Sequence, residues 1–201
     1  MNVFEKRSMA AYNKKAANYD DTFDGKLTLK FKHMLLDTVN IQNGDAVLDI
    51  ACGNGKLLHM FADRYAIEGY GADISDKMVE QAKLMNPAMT FSVDSCEKLP
   101  YADGTFDIVT VCAAYHHFPN VNIFAQEAYR LLKSNGKIYI ADILFPAIIR
   151  PICNLFVQLS PMGDVKFYSP REIMNTLNSV GFQNGGYIKK GQVQIVNASR
   201  P

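Results

Sequence analysis

Neither sign of charge dominates this chain: 21 lysines and arginines stand against 20 aspartates and glutamates, a net charge of +1 over 201 residues. No field is present that would draw in nucleic acid or an anionic membrane surface, and a small molecule is the expected partner. Cysteine is sparse and scattered. Cys52, Cys96, Cys112 and Cys153 form no C-x-x-C pair and none of the spacings that zinc sites use, so a reduced, cytoplasmic protein is expected. Residues 1–15 lack the apolar stretch of a secretory signal. The most apolar segment, 138–159, is interrupted by Asp142, Pro146, Arg150 and Pro151, which argues against stable insertion in a membrane. There is no internal repeat and no low-complexity tract. No Ser/His/Asp set and no G-x-S-x-G turn occurs, so covalent hydrolase chemistry finds no support.

What is present is an alternation of short apolar runs with helical patterns, the mark of an α/β domain on a mainly parallel sheet. Strands are expected at 46–50, 69–73, 90–93, 106–113 and 136–142, with a last pair at 186–190 and 192–197 pivoting on Gly191. Helices are expected at 4–12, 27–39, 56–65, 77–86, 122–132 and 169–180, the last with Ser169 as N-cap, Pro170 in its first turn and Gly181 past its end. The length fits one domain. Within it, residues 1–40 read as N-terminal helices, 45–142 as a ligand-binding core, 143–168 as an apolar insertion and 169–201 as a closing helix and hairpin.

Chemistry concentrates at the end of the first strand. In Asp49-Ile50-Ala51-Cys52-Gly53-Asn54-Gly55 two glycines permit close approach of a ligand to the backbone, where a Cβ would collide. The dinucleotide pattern G-x-G-x-x-G is incomplete, because Leu58 stands where the third glycine belongs. A carboxylate at Asp49 repels a pyrophosphate but suits a ligand that carries an ammonium and a sulfonium, so the charge favours S-adenosylmethionine. Asp73, at the end of the second strand, suits two ribose hydroxyls under either cofactor, and it serves equally well as a cap for the helix behind it. Asp94, with the amides of Ser95 and Cys96, offers an acceptor and donors for an adenine edge, or simply an exposed turn.

The succession VLDIACGNG, GADIS, VDSCEKLP, FDIVTVCAAYHHF and EAYRLLKSNGKIYI resembles the class I S-adenosylmethionine-dependent methyltransferases, in particular the small-molecule branch of ubiquinone and menaquinone biosynthesis. The likeness spans roughly residues 10–145, and SPREIMNTLNSVGF is similar to the family's last helix. It implies a Rossmann-like, doubly wound sheet of seven strands with the last antiparallel, under an N-terminal helical lid. It further implies that Asp49, Ala51, Cys52, Gly53, Asn54 and Gly55 hold the methionine end and that Asp73 holds the ribose. Ile74 and Met78 would contact the adenine face, and Asp94, Ser95 and Cys96 its edge. Cys112, Ala113, Ala114 and Tyr115 would wall the methyl donor, and Tyr19 would reach it from the lid. The chain departs from the usual motif at Ala51, where glycine is commoner, and slightly tighter packing is expected there.

His116 and His117 are candidate catalytic residues, since an imidazole titrates near neutrality and the pair follows the donor wall. Each serves equally well as a scaffold hydrogen-bonder. No metal is expected, because adjacent side chains on a strand point to opposite faces. Asp142 either orients a substrate or caps Ile143. The expected activity is direct methyl displacement onto a small, partly apolar acceptor, with a catalytically silent cofactor-binding module and a nicotinamide oxidoreductase as the rivals. The insertion 145–168 either houses that acceptor or packs on a second copy, which leaves monomer and homodimer both open.

Overall fold

The computed structural model describes residues 1–201. Val3–Lys15 forms α1, whose N-cap Asn2 accepts from the amides of Phe4 and Glu5 while the Glu5 carboxylate accepts from the Asn2 amide. A 3-10 turn at Ala16–Asp21 leads into α2, Phe23–Thr38, which starts four residues earlier than its apolar face suggests because Thr22 caps it. The Rossmann-like core follows as β1 (Ala46–Ile50), α3 (Lys56–Ala62), β2 (Glu68–Asp73), α4 (Asp76–Met85), β3 (Thr90–Val93), β4 (Phe106–Cys112), α5 (Val121–Leu131) and β5 (Leu132–Ile143). The short helix α6 (Arg150–Phe156) lies in the insertion, and α7 (Pro170–Ser179), β6 (Gln183–Lys190) and β7 (Val193–Ser199) complete the chain.

The seven strands form one sheet in the order β3-β2-β1-β4-β5-β7-β6. All pairs from β3 to β5 are parallel, whereas β7 runs antiparallel to both β5 and β6. The strand order reverses between β1 and β4, so the crossovers that leave these two strands diverge and open a crevice at their carboxyl ends.

Every residue of β1 is buried, as a strand covered on both faces requires. Alternation along β5 feeds two cores: Ile138 and Ile140 pack with Phe124, Leu131, Ile173 and Leu177 of α5 and α7, while Tyr139 and Ala141 pack with Phe31, Leu35 and Phe61 of α2 and α3. Asn135 adopts φ +66° inside β5, where the pairing with β4 slips between Phe106 and Ile108. The preceding helix, α5, has already ended at Leu131.

Candidate functional site

The glycine-rich turn leaves β1 with three residues in the left-handed region: Ala51 at φ +58°, Gly53 at +54° and Gly55 at +76°. A Cβ on Gly53 would meet nothing within 4 Å, whereas one on Gly55 would lie 2.8 Å from Asn86 Nδ2 and 3.0 Å from the Ala82 side chain. Gly53 is thus required by its backbone angle, and Gly55 also by the approach of α4. The Gly53 amide donates to Asp73 Oδ2 at 2.8 Å, and the Ser75 amide donates to Asp73 Oδ1 at 2.8 Å. Burial pushes the Asp73 carboxyl above its usual range, with these amides pulling the other way.

Asp49 lies beneath the turn, accepting from Thr110 Oγ1 at 2.7 Å. Burial pushes its pKa up to about 7, against the pull of the Thr110 hydroxyl and of Lys32. Lys32 is a residue that the sequence pattern passes over. It occupies the inner face of α2, buried, with Nζ donating to Thr28 Oγ1 at 2.9 Å and lying 5.9 Å from the centre of the Tyr19 ring. Asp49 and Lys32 are thus a buried acid and a buried base near enough for the lysine to pull the carboxyl pKa down.

A cavity opens at the carboxyl ends of β1, β2 and β4. Of the residues expected to bind cofactor, Tyr19, Ala51, Asp73, Ile74, Asp94, Cys96, Cys112, Ala113 and Ala114 line it. Among the candidate catalytic residues, His117 lines it and His116 does not. Glu5, Ser8, Tyr12, Phe118 and Pro119 also line it, none of which the sequence pattern singles out. The first three recur on one face of α1, a helix without an apolar stripe, so their spacing alone did not mark them.

The other expected residues lie just outside the lining, for distinct reasons. Asn54 Nδ2 donates to Asp20 Oδ1 at 2.8 Å, which ties the 3-10 turn to the glycine-rich loop, and Cys52, Gly53 and Gly55 stand in the same loop outside the lining. Ser95 Oγ donates to Glu5 Oε1 at 2.7 Å and borders a neighbouring depression on the far side of Asp94. Met78 is buried against Ala16 and Tyr19, supporting the lid from below. Tyr115 is wholly buried with its ring on Phe118, Phe124 and Tyr168, so it faces the core and not the donor.

The histidine pair corrects a premise. Tyr115–His117 is not strand but a 3-10 turn, and the His116 and His117 rings lie side by side with centroids 4.1 Å apart. His116 Nδ1 donates to Asp142 Oδ1 at 2.6 Å, and the same carboxylate oxygen accepts from the Ile143 amide at 2.8 Å, so Asp142 both orients a ring and caps the backbone. His117 Nε2 lies 3.2 Å from the Tyr12 hydroxyl. Asp164, from the insertion, approaches both rings. Burial pulls the His116 pKa down, but Asp142 and Asp164 outweigh it and the net shift is upward. Burial and the neighbouring His116 hold His117 well below the usual imidazole value.

Phe145 packs on Phe167, and Phe167 packs on His116, but Ile148, Ile152, Leu155, Phe156 and Leu159 point to solvent. No helix is long and apolar enough to cross a membrane.

Residues 48–140 match the family model described as a methyltransferase domain. The ubiquinone/menaquinone biosynthesis C-methyltransferase of Neisseria meningitidis is 33% identical over 146 residues, which is 68% of this chain and 59% of that protein. The protein of the same name from Chromobacterium violaceum is 31% identical over 171 residues, 81% of this chain and 66% of that one. The chain thus spans about three-fifths to two-thirds of the length of these relatives. Among solved structures, the YcgJ protein from Bacillus subtilis superposes with a TM-score of 0.77 at 19% identity, covering 86% of this chain and 98% of that one. An S-adenosylmethionine-dependent methyltransferase from Aquifex aeolicus gives 0.71 at 21% identity, covering 94% and 98%. These likenesses in fold carry no substrate, yet with the matched domain and the curated relatives they make one assignment: the chain belongs to the class I S-adenosylmethionine-dependent methyltransferases.

Proposed function

We propose that the chain transfers the methyl group of S-adenosylmethionine to a small, partly apolar metabolite by direct displacement. The observation that carries this reading is the pairing of buried Asp49 with the cavity acid Asp73 around a turn held in the left-handed region. Asp49 takes the cofactor ammonium and Lys32 its carboxylate. Asp73 accepts the ribose hydroxyls, and Ile74, Asp94 and Cys96 frame the adenine. The sulfonium supplies the activation, so the protein has to align donor and acceptor and exclude water. Closure of the 3-10 turn through Asp20 and Asn54 does the latter.

On the acceptor side Tyr12, Phe118 and Pro119 give an apolar wall with one polar end, formed by His117 and, behind it, His116. We assign to this polar end of the pocket the handling of the acceptor's proton. The exposed apolar side chains around α6 are proposed to join two copies of the chain, and a cytoplasmic location goes with the four free cysteines.

The test is calorimetry with S-adenosylmethionine and S-adenosylhomocysteine, followed by detection of S-adenosylhomocysteine across a panel of phenolic, quinol and amine acceptors. Micromolar binding and turnover on a planar apolar acceptor are expected. A folded protein that binds neither ligand overturns the reading.

A further inference from the structure

The histidine pair, with Asp164 and Asp142, is organised beyond what a proton acceptor needs. His116 Nε2 lies 3.6 Å from Asp164 Oδ1, and His117 Nδ1 lies 3.1 Å from the same oxygen. The three candidate donor atoms all fall within 4.8 Å of one another. A tetrahedral ion with bonds of about 2.0–2.1 Å separates its ligand atoms by about 3.3–3.4 Å, so the two measured separations bracket the required edge.

The remaining nitrogens are already engaged. His116 Nδ1 is held by the buried Asp142 at 2.6 Å, an arrangement that fixes the tautomer and turns the Nε2 lone pair towards Asp164. His117 Nε2 faces the Tyr12 hydroxyl at 3.2 Å, which leaves Nδ1 as the free nitrogen. That Nδ1 is buried and makes no aligned hydrogen bond, its one close polar neighbour being Asp164 Oδ1 at 3.1 Å, and the His117 side chain is only 10% exposed. A buried imidazole nitrogen that faces a carboxylate oxygen without an aligned hydrogen bond calls for an explanation. The backbone holds the third ligand in place independently of any ion, since the amides of Val165 and Lys166 donate to the His116 carbonyl at 2.8 and 3.2 Å.

We propose that His116 Nε2, His117 Nδ1 and Asp164 form a binding site for a divalent transition-metal ion of the zinc type, with Asp142 and Tyr12 as the groups that orient the two rings. Two imidazoles and one carboxylate suit zinc, cobalt or iron and fit magnesium and calcium poorly, because the latter prefer all-oxygen shells. Three protein ligands leave a further coordination position, the pattern of a catalytic and not a purely structural site. His117 lines the cavity, so the ion borders the acceptor compartment, and an acceptor hydroxyl bound to it loses its proton more readily. That use rests on the proposed methyl transfer; binding of the ion does not. In the metal-free protein the same side chains form an ion-paired cluster that ties the insertion to the turn after β4.

The experiment uses the full chain, stripped with chelator and then given zinc or cobalt chloride before gel filtration. Elemental analysis should find about one equivalent of retained metal per chain, and the cobalt form should show visible d–d absorption of a tetrahedral or five-coordinate site. The isosteric Asp164→Asn variant should retain less than about a tenth of that amount, and Asp142→Asn, which removes no ligand, should bind about 10- to 100-fold more weakly. Circular dichroism and calorimetry with S-adenosylhomocysteine on the same samples separate a lost ion site from a lost fold or a lost cofactor site. Wild-type protein that retains no zinc or cobalt overturns the proposal, as does metal content that Asp164→Asn leaves unchanged.

Discussion

The backbone amide of Gly53 donates to the side chain of Asp73 at 2.8 Å, so the glycine-rich turn after β1 and the acid that ends β2 are one unit before any ligand arrives. Each Asp73 oxygen has one amide partner and a remaining lone pair, which is the capacity two ribose hydroxyls need. Asp73→Ala should raise the dissociation constant for S-adenosylhomocysteine about 10- to 100-fold, the equivalent of losing hydrogen bonds to a charged group worth about 1.5–3 kcal/mol. Calorimetry on the variant, with circular dichroism to confirm the fold, checks this.

Asp49 gives a pH dependence whose sign differs between the free and the loaded protein. Its folded pKa, raised by burial to about 7, exceeds the value of about 3.9 in an unfolded chain. The protonated form therefore stabilises the free protein fully below about pH 4, and that contribution is lost as pH rises through about 7. A cationic cofactor prefers the ionised form, so its affinity should increase between about pH 6 and pH 8 while the free protein's melting temperature falls. Asp49→Asn should flatten both profiles and bind more weakly throughout. A cofactor affinity independent of pH over this window in the wild type rules out the role assigned to Asp49.

Lys32 is coupled to that titration. It lowers the Asp49 pKa, and its one hydrogen-bond partner is the Thr28 hydroxyl. Lys32→Met keeps the stem of the side chain and removes the charge, so it should weaken cofactor binding about tenfold and move the midpoint of the pH profile upward. Folding stability should hold or improve, since a buried, unpaired ammonium is itself unfavourable. A variant that binds with unchanged affinity leaves Lys32 no part in holding the cofactor.

Much of this was legible in the sequence, and what was not has physical reasons. Strands β1 and β3 sit where their apolar runs put them, because turn residues bound them on both sides. Asp49, Ala51 and Asp73 stood out because their charge or size has a meaning that depends little on distant partners. Lys32 was hidden by the apolar face of α2, and a lone lysine there reads as a solvated stem until the fold buries it. Glu5, Ser8 and Tyr12 belong to a helix with no hydrophobic stripe, so only the tertiary position of α1 reveals them. The His116–His117 pair was misread because a 3-10 turn following a strand has no sequence mark that distinguishes it from one more strand residue. Asp164 was invisible for another reason: its partners lie far back in the chain and meet it only through the path of the insertion.

Ala51 provides a test of backbone strain. Its φ of +58° lies where an alanine Cβ crowds the following carbonyl, at a cost of about 1–2 kcal/mol. Glycine removes that crowding but loses more entropy on folding, by about 0.4–1 kcal/mol. Ala51→Gly should therefore raise the unfolding free energy by a few tenths to about 1 kcal/mol, read by chemical denaturation, with cofactor affinity within about threefold of wild type. This sharpens the expectation of tighter packing: the departure from glycine acts on the backbone, and a destabilised Ala51→Gly variant would show that the methyl group makes contacts that outweigh the strain.

The exposed face around α6 gives a test of the proposed assembly. Ile152, Leu155, Phe156 and Leu159 are 57%, 76%, 62% and 78% exposed, and no other part of the chain covers them. Apolar side chains gathered on one short segment mark a contact surface, since a monomer gains nothing by exposing them together. Sedimentation equilibrium should show a dimer for the wild type and a monomer for the Phe156→Glu, Leu159→Glu double variant. Because both positions point to solvent, the melting temperature of the separated chain should change little, as surface substitutions generally alter stability by no more than about 0.5 kcal/mol. If the variant remains dimeric, the interface lies elsewhere; if the wild type is monomeric at high concentration, the apolar face has to be covered by something other than a second copy.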